Sequence, residues 1–185
     1  MILEISYPGT GGFLSPKKVI ESFDFIKEGM IVADFGCGGG YFTFPLAEKV
    51  GETGKVFAID VLKEPLEVIE SKARIEGFKN IKTIRGDLEK EGGSCIKDNF
   101  CDIILIANLF FQTEKDEAVV KEAKRVLKDN GYIIFIDWKK DVSIGPKGKR
   151  VDKEEVKKLF EKEGFILKAE FSPDDYHFGL IFKGE

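Results

Sequence analysis

The chain is 185 residues long, 43% hydrophobic and 34% charged, with a formal net charge of −4. That length supports one domain with a single core, and the balance of apolar and charged residues excludes a disordered chain. The small negative charge argues against a broad electrostatic grip on nucleic acid, while leaving a local basic patch open. Cys37, Cys95 and Cys101, without a C-x-x-C pair and with His177 as the only histidine, provide neither a zinc set nor a disulfide framework. They point to the reducing cytoplasm, with no metal. No basic segment leads into an apolar one at the N-terminus, so no signal peptide is expected. The longest apolar run, Ile103 to Phe111, is interrupted by Asn108 and too short to span a bilayer.

Met1 to Phe13 reads as a Gly- and Pro-rich leader. Ser15 then serves as N-cap with Pro16 at the first helical position, and Val19, Ile20, Phe23 and Ile26 give that helix its apolar face until Gly29 stops it. A buried strand, Met30 to Ala33, enters the glycine-dense turn Gly36-Cys37-Gly38-Gly39-Gly40, and a helix from Phe44 to Val50 opens straight after it. Strands at Lys55–Ile59, Ile81–Arg85, Asp102–Ala107 and Tyr132–Ile136 alternate with helices from about Glu64 to Ile75 and from Glu114 to Leu127. Asn130-Gly131 is read as the stop of the second of these helices. Leu88 to Asn99, broken by Gly92-Gly93, is loop. After a Gly/Pro/Lys loop to Arg150, Asp152 caps a helix to Glu163. Phe165–Leu167 and Phe178–Phe182 then close the chain as a hairpin around Ser172 to Asp175. The unbroken apolar run of the fourth strand implies burial on both faces, as in a parallel sheet. The expected fold is therefore α/β and Rossmann-like, mostly parallel with an antiparallel C-terminal strand and helices on both faces. One domain covers 1–185: leader and first helix 1–28, a ligand-binding core 29–138, and loop, helix and hairpin 139–185.

Ligands of open α/β sheets bind beyond the carboxyl ends of the strands. Glycines at 36, 38 and 40 let the turn take positive φ and let a ligand lie against bare backbone, facing the N–H groups of the next helix. Two features separate this loop from a dinucleotide fingerprint. The spacing G-x-G-x-x-G from Gly36 would require glycine where Tyr41 stands, and Asp34 would repel a pyrophosphate. An acid there suits a ligand with positive charge. Asp60 ends the second strand about twenty residues past the loop, the offset of an acid that accepts from both ribose hydroxyls. Asp87, in Gly86-Asp87-Leu88, ends the third strand.

The pattern Asp34-x-Gly36-x-Gly38-x-Gly40 resembles motif I of class I S-adenosylmethionine-dependent methyltransferases. The stretch Val126-Leu127-Lys128-Asp129-Asn130-Gly131 is similar to a further segment of that family, with Asp and Asn replacing Pro and Gly. Compact ubiquinone/menaquinone-biosynthesis-type enzymes are the nearest in pattern; arsenite methyltransferases are similar overall, but their paired substrate cysteines have no counterpart here. The resemblance covers most of the chain from Ser15 onward and implies a seven-stranded sheet with S-adenosylmethionine as cofactor. By resemblance the loop residues Asp34, Gly36, Cys37, Gly38 and Gly40 hold its methionine part. Asp60 holds the ribose, Val61 and Asp87 with Leu88 the adenine, and Ala107 and Asn108 complete the site. Cys37 is read mainly as a small side chain that fits the turn.

The fourth strand ends in Asn108-Leu109-Phe110-Phe111, without the prolines of enzymes that methylate base amines. Asn108, Phe110, Phe111, Asp137, Trp138 and Tyr176 are expected to line an acceptor pocket, with His177 as a general base because imidazole titrates near neutrality. Phe13 and the glycines before it are candidates for a lid. Methyl transfer to a small molecule is the leading reading. An RNA or protein methyltransferase, a non-catalytic cofactor-binding subunit and a nicotinamide dehydrogenase stand as alternatives.

Overall fold

A single twisted sheet carries the molecule. The computed structural model describes Leu3–Glu4 and residues 13–185; most of the expected leader lies outside the described residues. In chain order the elements are β1 (Leu3–Glu4), α1 (Pro16–Glu21), β2 (Ile31–Phe35), α2 (Thr43–Val50), β3 (Lys55–Asp60), α3 (Lys63–Glu76), β4 (Ile81–Arg85) and β5 (Cys101–Ala107). They continue with α4 (Asp116–Val126), β6 (Leu127–Trp138), α5 (Lys153–Lys162), β7 (Ile166–Phe171) and β8 (His177–Lys183). The sheet order is β1-β7-β8-β6-β5-β2-β3-β4. β8 runs antiparallel to both of its neighbours, and every other pairing is parallel. The expected seven strands are all present, and the two-residue β1 adds an eighth at the β7 edge.

Alternation along the strands sends side chains to two cores. On one face Phe35, Ile59, Ile106 and Phe135 meet Val119, Val120 and Ala123 of α4 and Phe160 of α5. On the other, Val32, Val56, Leu105 and Ile134 meet Val19 and Ile20 of α1 and Leu46, Ala47 and Val50 of α2. Leu66, Ile69 and Ala73 of α3 pack beside them on Phe44 and Ala58. Helices therefore cover both faces, as the unbroken apolar run of β5 requires.

The ends of the strands remote from the glycine loop are tied by side chains. The Asp102 carboxylate accepts from the Ile31 N–H at 2.8 Å and from Lys128 Nζ at 2.6 Å, joining the starts of β2, β5 and β6. Asn80 Nδ2 donates to the carbonyls of Ala47 and Gly51, both at 2.8 Å.

Two local readings need correction. α1 stops at Glu21, two residues before Phe23, and Ser15 makes no side-chain cap; Phe23 and Ile26 are buried from the turn that follows. Asn130-Gly131 does not end α4. The helix stops at Val126 because Leu127 already pairs with Cys101 in the sheet. The pairing then shifts register, and Asn130 takes φ +62° within β6. Asp152, by contrast, caps α5 as expected, accepting from the Glu154 and Glu155 N–H groups. No described helix is long and apolar enough to cross a membrane.

Candidate active site

The carboxyl ends of β2, β3, β4, β5 and β6 open into one cavity of about 730 Å³, a volume suited to a ligand of nucleoside size. Asp34, Gly36, Cys37 and Gly38 line it from the glycine loop. Asp60 and Val61 line it from the end of β3, Asp87 and Leu88 from the end of β4, and Ala107 and Asn108 from the end of β5. Phe111 and Trp138 form its far wall.

The loop is shaped by bonds back to the sheet. The Gly36 and Cys37 N–H groups both donate to the Ile59 carbonyl at 2.9 Å, and the Gly38 N–H donates to Asp60 Oδ2 at 3.0 Å. Asp60 Oδ1 accepts from the Leu62 N–H at 2.9 Å, so one carboxylate joins the loop to the start of α3. Gly38 sits at φ +48° with open space where a Cβ would be, which leaves bare backbone toward the cavity. At Gly36 a Cβ would lie 2.7 Å from Leu109 Cδ1, so glycine there lets the β5 loop close against the β2 loop.

Asp34 is almost wholly buried and accepts from Thr43 Oγ1 at 2.6 Å. Burial pushes its pKa up to about 7; the Thr43 bond opposes the rise and the Asp60 charge adds to it. Burial, with the Asp34 and Asp60 charges, also drives the Cys37 thiol far above its ordinary range, which keeps it protonated at neutral pH. Asp87 is held below the usual carboxylate range by Lys90 at 2.8 Å.

Several expected site residues stand elsewhere. Gly40 does not line the cavity: it takes φ +83°, and a Cβ there would lie 2.9 Å from Ile69 Cγ1 and Phe44 Cε2, so it serves packing. Phe110 is fully buried in the core against Phe135, ring centroids 4.9 Å apart, leaving Phe111 on the wall. Asp137 is buried behind the wall, where Oδ2 accepts from the Phe110 N–H at 3.1 Å and Oδ1 from the Trp138 N–H at 2.7 Å. Burial raises its pKa to about 6 against these two bonds. Its place is to fix the Asn108–Phe110 turn. Tyr176 lies off the cavity and stacks on Phe13 at 5.5 Å; the glycines before Phe13 fall outside the described residues.

His177 is enclosed rather than poised at the cavity. Its ring lies 4.0 Å from Trp138, and Nδ1 is 2.9 Å from both carboxylate oxygens of Asp174. Burial lowers its pKa and favours the neutral ring, with Asp174 pulling the other way. Cavity residues that the sequence reading did not single out are Leu14, Tyr41, Phe42, Leu62, Glu89, Gln112, Thr113 and Pro146. Glu89 had a local signal, being two residues past Asp87. Its Oε2 accepts from the Glu114 and Lys115 N–H groups at 2.9 and 2.6 Å and closes that end of the cavity.

Open parallel sheet, glycine loop, and acids ending successive strands define a nucleoside-binding α/β protein. The family described as "Methyltransferase domain" matches residues 26–171. A crystal structure of a SAM-dependent methyltransferase from Aquifex aeolicus is 33% identical with a TM-score of 0.81, over 92% of this chain and 89% of that one. The chain belongs to the S-adenosylmethionine-dependent methyltransferases. The demethylmenaquinone methyltransferase of Lactococcus lactis is 35% identical over 112 residues, 59% of this chain and 42% of the relative. Human arsenite methyltransferase is 34% identical over 57% of this chain and 30% of its own length. The matched stretch thus spans half or less of these curated relatives.

Proposed function

We propose that this chain transfers the methyl group of S-adenosylmethionine to a small-molecule acceptor. The observation that carries the reading is the convergence of Asp34, Gly38, Asp60 and Asp87 on one cavity with an aromatic far wall. These residues fit the cofactor: open backbone at Gly38 admits the methionine carboxylate, Asp34 matches its ammonium, and Asp60 accepts from the ribose hydroxyls. Asp87 and the Leu88 backbone suit the adenine edge. Bound there, the cofactor supplies a methyl group made electrophilic by its sulfonium. The protein's part is to orient and to exclude water. Asp137 holds the Asn108 turn, and Phe111, Trp138 and Pro146 wall off the far end. Relatives named for demethylmenaquinone and arsenite support a small acceptor.

The experiment is cofactor titration followed by turnover with labelled methyl groups. Micromolar binding of S-adenosylmethionine without NADH binding, and label moving into a metabolite fraction, is the expected outcome. Binding of NADH alone would remove the reading. Label that appears only in nuclease- or protease-sensitive material would transfer it to an RNA or protein acceptor.

A further inference from the structure

α3 carries two apolar faces, where a helix on the surface of a sheet needs one. Leu66, Ile69 and Ala73 turn inward onto Phe44 and Ala58. A second set faces out. Val68 is 56% exposed and Ile75, seven residues later, is 82% exposed; Val61 and Leu62, which directly precede the helix, are exposed as well. Single exposed apolar residues mean little, but these four make up most of the seven large ones exposed among the described residues. A shallow groove along α3 takes in Glu64, Val68, Ser71, Lys72 and Ile75, so these side chains share one face. Val61, Leu62 and Pro65 also line the cavity, which carries the apolar patch to the edge of the candidate active site.

The charges beside this patch select what can cover it. α3 has three basic and four acidic residues, so an anionic lipid surface or a nucleic acid gains nothing by lying along it. The order of those charges points to a second copy. Glu64, Val68 and Lys72 follow one another at four-residue spacing, which sets acid, apolar centre and base along one ridge of the helix. Such a ridge is its own complement when reversed about Val68. An antiparallel copy, crossed so that the two ridges meet, lays Val68 on Val68 and Glu64 on Lys72, twice by symmetry. A parallel copy would set Glu64 against Glu64 and Lys72 against Lys72. Both charged groups are free to answer: Lys63 is taken by Glu67 at 2.7 Å, whereas Lys72 reaches Glu76 only at 3.9 Å and Glu64 has no ion pair among the described residues. Ile75 of each copy then comes over the start of the other's α3, where Val61 and Leu62 are exposed.

We propose that two copies of this chain associate through α3 as an antiparallel, two-fold symmetric pair centred on Val68, with Glu64 of each copy on Lys72 of the other. The pairing does not depend on which ligand the cavity takes. The 14 residues of α3 span about 21 Å, and one such face buries less than the roughly 800 Å² per partner of a standard interface. The pair is therefore weak and concentration-dependent.

Sedimentation velocity from about 5 to about 300 µM brackets an interface of this size. Wild type should pass from one chain mass to two across that range. Glu64→Lys places like charges at both contacts, and Lys72→Glu does so with the opposite sign, so each variant alone should stay monomeric at the highest concentration. Mixed in equal amounts the two should recover the dimer, because one copy then offers two lysines and the other two glutamates. Val68→Asp brings like charges together on the two-fold axis and should also abolish the dimer, with the far-ultraviolet spectrum of wild type. The inference is overturned if wild type stays monomeric throughout, if Glu64→Lys or Val68→Asp dimerises as wild type does, or if the two charge variants give no dimer when mixed. Co-sedimentation of wild type with phosphatidylglycerol vesicles would also overturn it, by assigning the face to a lipid surface.

Discussion

With Asp34 as the proposed partner of the cofactor ammonium, cofactor binding should depend on pH in a way that can be worked out in advance. In the free protein its pKa stands at about 7, raised chiefly by burial. A bound ammonium and sulfonium favour the ionised form and pull that pKa down, so binding releases a proton near neutrality. If only the carboxylate form binds, apparent Kd scales as 1 + 10^(7−pH), about 2 at pH 7 and about 100 at pH 5. That is a loss of about 50-fold, or about 2.3 kcal/mol, over two pH units. The comparison stops at pH 7 because an α-amino group begins to lose its own charge near pH 8. Isothermal titration with S-adenosylmethionine at pH 5, 6 and 7, in buffers of different ionisation enthalpy, measures both affinity and protons released. Asp34→Asn keeps an oxygen for the Thr43 hydroxyl but cannot titrate, so its affinity should vary less than threefold over the same range. A wild-type profile as flat as the variant's, or no proton release at pH 6.5, would refute the reasoning. The same raised pKa costs stability to the free protein: it is lost as pH rises from about 4 through 7, so thermal melts of Asp34→Asn should exceed wild type at pH 8.

Asp60→Ala removes the acceptor for the Gly38 and Leu62 N–H groups as well as the proposed acceptor for ribose. Cofactor Kd should rise at least tenfold, about 1.4 kcal/mol, with the far-ultraviolet spectrum unchanged. Gly40→Ala forces a Cβ against Ile69 and Phe44 at positive φ and should cost about 1–2 kcal/mol in denaturant unfolding. Glu122 is buried in α4, where Oε1 accepts from the Ser94 N–H at 2.9 Å and Oε2 from the Gly92 N–H at 2.9 Å. Burial would raise its pKa, but Arg125 and these bonds win and hold it at about 2. Its contribution is therefore full above the ordinary glutamate value of about 4.3 and is lost as pH falls through 2. Glu122→Gln should cost about 2 kcal/mol at pH 7 in urea titration, shrinking toward pH 2.

Strand ends were the most readable part of the chain, because an apolar run that stops at an acid or a small residue marks both the sheet and its functional rim. Asp34, Asp60, Asp87 and Ala107-Asn108 meet in one cavity although up to 74 residues separate them. Side-chain direction was less readable. Phe110 and Phe111 are adjacent in a turn with no strand period to say which faces inward, and the structure sends Phe110 to the core. β8 is buried on both faces, so alternation could not tell whether His177 met the cavity or the interior. Gly40 shared the spacing of the ligand-facing glycines, yet its reason is a crowd of side chains from α2 and α3. Glu122 sat beside an apolar helical stripe, and what buries it is the distant Gly92–Ser94 turn. Asn130-Gly131 has the composition of a helix stop, but partnership with Cys101 starts the strand five residues earlier than local composition suggests.

Asp102 leaves the opposite rim of the sheet free. By pinning the beginnings of three central strands to one carboxylate, it sets their alignment from the underside of the sheet. The loops on the opposite rim then carry little of the burden of registration. The stretches after β5 and β6, beyond Asn108 and Trp138, can accordingly be lengthened, exchanged or re-lettered for another acceptor while the scaffold keeps its geometry, which makes this chain a practical starting point for grafting new methyl-transfer specificities.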